Sequence, residues 1–326
     1  LKPMVLTLHD PFFLGGHCVH SGDCEKYKSF CADCEHLQIQ FALKEDLTSY
    51  YFMKKSVAIQ NSNLPVIVAS QWMEERAKSS PIFAHQKIYC LPFGIDLDVF
   101  CPRDSDTAKK ALGIPQGSLT IMFRADANPF KGLEVVLNAL DKISSDRPIT
   151  LISVGQNNLM NEYKQKYQTF EFGWITEDKE LAKLYQACDI FLMPSKQEAF
   201  GMMAIEAMAC EKPVLVLEGT ALPAVVHSPE CGLAVCEAEF ANTLQFWLEH
   251  PQECLERGKK SLAYAQAHYG IEQYTDGMLR IYAEVMASFT PDPHAETVLS
   301  QMLQASLNHA SCAAAKATSL SDSHSW

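Results

Sequence analysis

Two glutamates eight positions apart, Glu198 and Glu206, carry the densest chemistry in the chain. An apolar run, Ile190 to Met193, leads into the polar stretch Pro194 to Gln197. Beyond Glu198, the residues Met202, Ala204, Ile205, Ala207 and Met208 fall at helical spacing. The pattern predicts strand, turn and helix, with Glu198 in the turn and Glu206 about two turns into the helix. Their backbones would then lie no more than ~12 Å apart. Two carboxylates at that separation suit a ligand with hydroxyls at both ends. Between them the N–H groups of Phe200, Gly201 and Met202 open the helix, and a helix N-terminus favours an anion such as phosphate. Sugar, diphosphate and ribose would fit in that order.

A second loop supplies the opposite charge. Ser118 to Phe123 reads as a strand, Leu133 to Ile143 as an amphipathic helix, and the loop between them carries Arg124 and Lys131. Fixed cations at a strand's carboxyl end can stabilise the charge that develops on a departing diphosphate. Arg suits bidentate phosphate contact and Lys acts as a point charge. The competing reading is a surface Arg–carboxylate pair beside a solvated Lys, which contributes little.

The run Met4 to Leu8 is a buried strand ending at His9-Asp10, and open α/β sheets bind ligands at that carboxyl edge. His9 is therefore a candidate site residue, against the alternative of a histidine that only holds its loop. Strands Thr150 to Val154 and Thr169 to Phe172 end in Gly155 and in Gly173-Trp174. Trp174 reads equally as a stacking platform or as a packing tryptophan.

The 326 residues suffice for two domains, with 48% hydrophobic and 20% charged residues, as in a soluble globular protein. A net charge of -12 argues against nucleic-acid binding. There is neither an 18-residue apolar run nor a basic-then-apolar leader, so the expected compartment is the cytoplasm, with peripheral contact at the inner face of a membrane as an alternative. Of the 12 cysteines, Cys18, Cys24, Cys31 and Cys34 are spaced C-x5-C-x6-C-x2-C. Four thiols so close could hold a structural zinc, although only one C-x2-C pair is present; free thiols are the competing reading.

The setting P-S-x-x-E-A-F-G-x-x-x-x-E-A-M around Glu198 and Glu206 resembles the donor-sugar motif of group 1 glycosyltransferases, retaining enzymes of the GT-B fold. T-L-H-D at residues 7–10, the interdomain L-P-F-G-I-D with its following V-F, and the cysteine loop are also similar to that family. The resemblance implies an α/β fold of two Rossmann-like domains. Glu198 and His9 would contact the donor sugar, Lys131 and Arg124 the phosphates, and Glu206 the ribose, while backbone near Gly173 meets the base. Phe123 stands where the family has Gly before its Arg, and Ala224 where a later G-L-P-E-I-V loop has Glu. No cofactor is implied beyond a nucleotide diphosphate sugar as donor. The acceptor would be a saccharide or a lipid-linked one.

Further elements are expected as a helix over Leu37 to Val57, strands at Pro65 to Ala69, Lys87 to Leu91 and Pro213 to Leu217, a helix from Glu180 to Cys188, and two or three helices over 241–289. The implied domains are 1–105, an acceptor-side Rossmann domain whose first strands lie upstream; 106–270, which binds nucleotide sugar; 271–290, a helix crossing back to the N-terminal domain; and 291–326, a mostly disordered tail with one short helix over Val298 to Leu307. A nucleotide-sugar-binding chain without transfer activity, or a GT-B epimerase or phosphorylase, is the alternative. A dehydrogenase is disfavoured, because no G-x-G-x-x-G follows a strand.

Overall fold

The computed structural model describes residues 2–39 and 41–289. The tail, including the helix expected over Val298 to Leu307, lies outside the described residues. The chain divides into two compact units: Leu6–Arg280, which holds both sheets and every candidate residue, and Leu1–Val5 with Ile281–Trp326. The described part of the second unit includes the final turns of a helix that runs Ile271–Ser288.

Strands β1 (Leu6–Leu8), β2 (Val66–Val68) and β3 (Ile88–Cys90) form a parallel sheet in that order. Helices α1 (Thr48–Gln60) and α2 (Gln71–Ser79) bury Phe52, Met73 and Ala77 in the same core as Leu8, Val66 and Val68. The helix expected over Leu37 to Val57 is thus shifted toward the C-terminus. Asp46 decides its start: its carboxylate accepts from the N–H and hydroxyl of Thr48 and from the N–H of Cys34, which fixes a turn where the apolar pattern alone would continue a helix.

The larger sheet has six parallel strands: β4 (Leu119–Ala125), β5 (Ile149–Gly155), β6 (Gln168–Glu171), β7 (Ile190–Met193), β8 (Val214–Leu217) and β9 (Leu233–Val235). Their order is β6-β5-β4-β7-β8-β9. Successive side chains point to opposite faces, so Met122 and Phe191 enter one core while Ile121, Phe123 and Leu192 enter the other. Both faces are covered, which accounts for the unbroken apolar runs. The strand order reverses between β4 and β7, and the crevice outside the carboxyl ends of these two strands is where such sheets bind ligands. Arg124 is the penultimate residue of β4, and Glu198 follows β7.

A helix unforeseen from the sequence, α3 (Ser105–Ala111), starts at Asp104, whose side chain accepts from the N–H of Thr107. Its Lys109 is buried at 4% exposure and donates to Asp189 at 2.9 Å and to the Ser118 carbonyl at 3.1 Å. Asp189 also accepts from the Thr120 N–H, so one carboxylate ties α3 to the start of β4.

Gly132 ends the β4 loop at φ +70° and leads into α4 (Leu133–Lys142). A Cβ there would sit 1.9 Å from the Pro194 carbonyl oxygen, so the two site loops touch through a glycine. For Gly132→Ala the left-handed backbone alone costs ~1–3 kcal/mol, before any clash. We expect a clearly lowered denaturant midpoint, and an unchanged midpoint would contradict this packing.

Candidate active site

The β4 and β7 loops interlock. The amides of Lys196 and Gln197 donate to the Phe130 carbonyl at 2.9 and 3.4 Å, and the Ala221 amide donates to the Glu198 carbonyl at 3.1 Å. Across this junction Lys131 Nζ lies 3.0 Å from Glu198 Oε2, and the two side chains are only 19% and 17% exposed. Two residues predicted separately therefore form one ion pair. Neither is a solvated surface charge.

Helix α5 (Asp178–Ala187) carries Tyr185, and α6 (Met202–Ala209) begins directly after Gly201, which takes φ +106° and provides no side-chain cap. A Cβ at Gly201 would meet Leu222 Cδ2 at 2.5 Å. Glu206 lies only about one turn into α6, not the two that the sequence suggested. It is buried, and its Oε2 accepts from the Tyr185 hydroxyl at 2.9 Å. Burial pushes the Glu206 carboxyl up to about 7; the Tyr185 hydrogen bond opposes that rise, and Asp178 adds to it.

A cavity of about 260 Å³ is lined by His9, Arg124, Lys131, Glu198, Phe200, Gly201 and Met202. A second, of about 190 Å³, is lined by Arg124, Gly173, Trp174, Met203 and Glu206. Arg124 and Met203 line both, so the acidic and basic candidates surround one crevice at the β4/β7 switch point. Arg124 also pairs with Asp126 at 2.6 Å, and its guanidinium lies 4.9 Å from the Trp174 ring centre. The carboxylate pair weighed for Arg124 is thus present, within the crevice. Trp174 is 63% exposed, which excludes the packing-tryptophan reading.

His9 stacks on Phe93 at 5.4 Å, and Phe93 meets Phe200 edge-on at 5.1 Å. Ser70, at the start of α2, donates to the Ala199 carbonyl at 2.7 Å. The turn carrying Glu198 is thereby held from the side of the three-stranded sheet as well. His20 was not foreseen; its ring lies 5.6 Å from that of Phe130. Burial, and next the charge of Lys131, lower its pKa, which keeps the imidazole neutral at physiological pH. No spacing could reveal it, since its neighbours Phe130, Lys131 and Glu198 are more than a hundred residues away.

The structure gives no support to the zinc expected at Cys18, Cys24, Cys31 and Cys34. Among the described residues no three His, Cys, Asp or Glu side chains come together so as to hold a metal ion. Cys31 packs against the core of the small sheet beside Gly15 and Tyr27. The Cys18 thiol is pushed up to about 12 by burial and next by its neighbour Cys34.

Comparison with known proteins places this geometry. The family model for glycosyl transferases group 1 matches residues 104–263, which include both charged loops and α6. Over that segment, just under half of its length, the chain is similar to the group 1 glycosyltransferases. The D-inositol 3-phosphate glycosyltransferases of Segniliparus rotundus and Corynebacterium aurimucosum are 29% and 27% identical to it, over 60% and 63% of this chain and 47% and 53% of their own. The chain spans about half the length of these curated relatives. Among solved structures, a sucrose-phosphate synthase from Thermosynechococcus elongatus superposes with a TM-score of 0.68 at 23% identity, covering 87% of this chain and 68% of that one. HepE from Anabaena, in complex with UDP-glucose, gives a TM-score of 0.59 at 20% identity over 74% of this chain and 71% of its own. The fold is α/β with parallel sheets, of the GT-B type. Among the described residues no helix is long and apolar enough to cross a membrane.

Proposed function

We propose that the crevice binds a nucleotide diphosphate sugar and that the protein transfers its sugar, a hexose, to an acceptor hydroxyl with retention of configuration. The observation that carries this reading is the Lys131–Glu198 pair beside the opening of α6, at the switch point of the sheet. In this reading Glu198, with His9, receives the hydroxyls of the donor sugar, and the pair holds the carboxylate in place before the sugar arrives. Lys131, Arg124 and the amides of Phe200, Gly201 and Met202 offset the charge that grows on the diphosphate as the glycosidic bond breaks. Glu206 accepts the ribose hydroxyls, with the base placed near Gly173 and Trp174. No side chain in the crevice is placed as a covalent nucleophile; the acceptor attacks from the face the diphosphate leaves, and a donor phosphate oxygen takes its proton.

The acceptor is a saccharide or a lipid-linked saccharide, and the protein works in the cytoplasm or at the inner membrane face. The division into an acceptor-side part, 1–105, and a donor-binding part, 106–270, with the helix over 271–290 crossing between them, belongs to the same proposal. It is supported by the two separate sheets and by Gly270 bridging to Ile95.

A thermal-shift screen of UDP-, GDP- and ADP-sugars tests donor binding. One nucleotide class should stabilise the fold, by about 2.7 kcal/mol at a hundredfold excess over its dissociation constant. No response to any of them, in a folded sample, would refute the donor site.

A further inference from the structure

A cavity of about 590 Å³, larger than the crevice, is lined by none of the donor-site charges yet shares His9 with it. Its volume is in the range of sites that enclose a drug-sized ligand. The walls come from the end of β1, the turn after it and α1: Leu8, Phe12, Phe13, Val19, Leu43 and Tyr51. Such a lining is a poor match for a bare saccharide, whose hydroxyls would lose water without gaining partners.

Two polar groups interrupt the apolar wall. Lys55 is the one Lys or Arg lining the cavity. Its Nζ donates to the carbonyls of Phe12 and Gly15 at 2.6 and 2.8 Å and lies 3.8 Å from the Phe12 ring centre, which leaves one N–H uncommitted. Among the described residues no carboxylate comes within ion-pair distance of it; Asp10, also in the lining, is occupied with the Phe12 amide. Burial pulls Lys55 down to about 8. The second group is His17, 6% exposed, whose Nε2 is buried without a hydrogen-bond partner. A buried polar atom left unpaired is costly, and in a native structure it calls for an explanation such as a ligand.

Resting on the donor reading above, we propose that this cavity holds the non-reacting part of the acceptor, and that the acceptor is an amphipathic phosphate ester. Its hydrocarbon or aryl body lies against Phe12, Phe13, Val19 and Leu43, its phosphate meets Lys55 and His17, and its glycosyl-accepting hydroxyl is presented at His9.

The test measures binding of decyl phosphate, decyl glucoside and inorganic phosphate by calorimetry, in the presence and absence of the stabilising nucleotide sugar. Decyl phosphate should bind at least tenfold more tightly than decyl glucoside, and inorganic phosphate should not bind measurably. Lys55→Met should bring the two decyl compounds to equal affinity, and Phe13→Asp, at a partly exposed wall position, should abolish binding of both. If decyl phosphate does not bind, or binds equally well to Phe13→Asp, the proposal is overturned. Equal binding of the two decyl compounds to the unaltered protein removes the phosphate and leaves an apolar site only, which also overturns it as stated. Nucleotide-sugar binding, followed separately, reads the donor site, so its loss with decyl phosphate binding intact counts against the donor reading and not the cavity.

Discussion

Replacing Glu198 by Gln should lower the proposed sugar transfer by ~10²–10³-fold, the scale found when one preorganised partner of a transition state is removed. The substitution keeps the shape and one hydrogen-bond acceptor but removes the charge that faces Lys131 at 3.0 Å. Lys131 would then approach the diphosphate without its anchor, and the sugar would lose an ionised acceptor for its hydroxyl. Binding of the free nucleoside diphosphate should change little, because the proposed contacts to it come from α6, Arg124, Lys131 and Glu206, all of which the variant retains. The decisive comparison is between turnover and nucleotide affinity in the same variant. Normal turnover in E198Q would falsify the assignment, and a parallel loss of nucleotide affinity would show the loop to have collapsed. Lys131→Met provides the reciprocal case: it leaves the Glu198 carboxylate 17% exposed and unpaired, so stability should fall by ~1–3 kcal/mol as well as activity.

What the sequence disclosed follows from how local each feature is. Val66–Val68 and Val214–Leu217 are legible as strands because both faces of each are buried, which leaves a continuous apolar run. Glu198, Glu206, Arg124 and Lys131 are legible because each lies at the carboxyl end of a strand, in the short loop after it or in the helix that follows, and the resemblance to the glycosyltransferase family spans them. Helix α3 escaped notice because its two buried residues are an alanine and a lysine, and a buried charge has no apolar signature; only the fold brings Asp189 to Lys109 across 80 positions. The ion pair of Lys131 with Glu198, 67 positions apart, was invisible for the same reason. Tyr185 reads as an ordinary helical core residue until α6 places Glu206 at its hydroxyl. The cysteine spacing suggested ligands, and the loop packs the half-buried Cys31 against the apolar core of the small sheet, which spacing does not disclose.

The second large effect is a pH dependence set by Glu206. Its carboxyl ionises at about 7 in the folded chain against an ordinary 4.5, because burial disfavours the charged form more than Tyr185 favours it. Below pH 4.5 both folded and unfolded chains carry the proton. As pH rises from 4.5 to about 7 the unfolded chain releases it first, so the folded state holds more protons and stability falls. Above about 7 the penalty is complete and constant, on the order of 3 kcal/mol at about 1.4 kcal/mol per pH unit. Binding runs the other way. Ribose hydroxyls donate best to the ionised carboxylate, so nucleotide affinity should rise by up to about tenfold per pH unit below 7 and level off above it. Calorimetry in buffers of different ionisation enthalpy should detect release of a proton on binding near pH 6. Glu206→Gln should give a flat, weaker profile, and Tyr185→Phe should displace the inflection to higher pH, because it removes the contact that lowers the Glu206 value. His20 cannot imitate this behaviour, since its own ionisation is displaced below the ordinary histidine range. If the inflection persists in E206Q, the group that controls nucleotide binding lies elsewhere in the crevice, and Glu206 is a buried core acid held by Tyr185 alone.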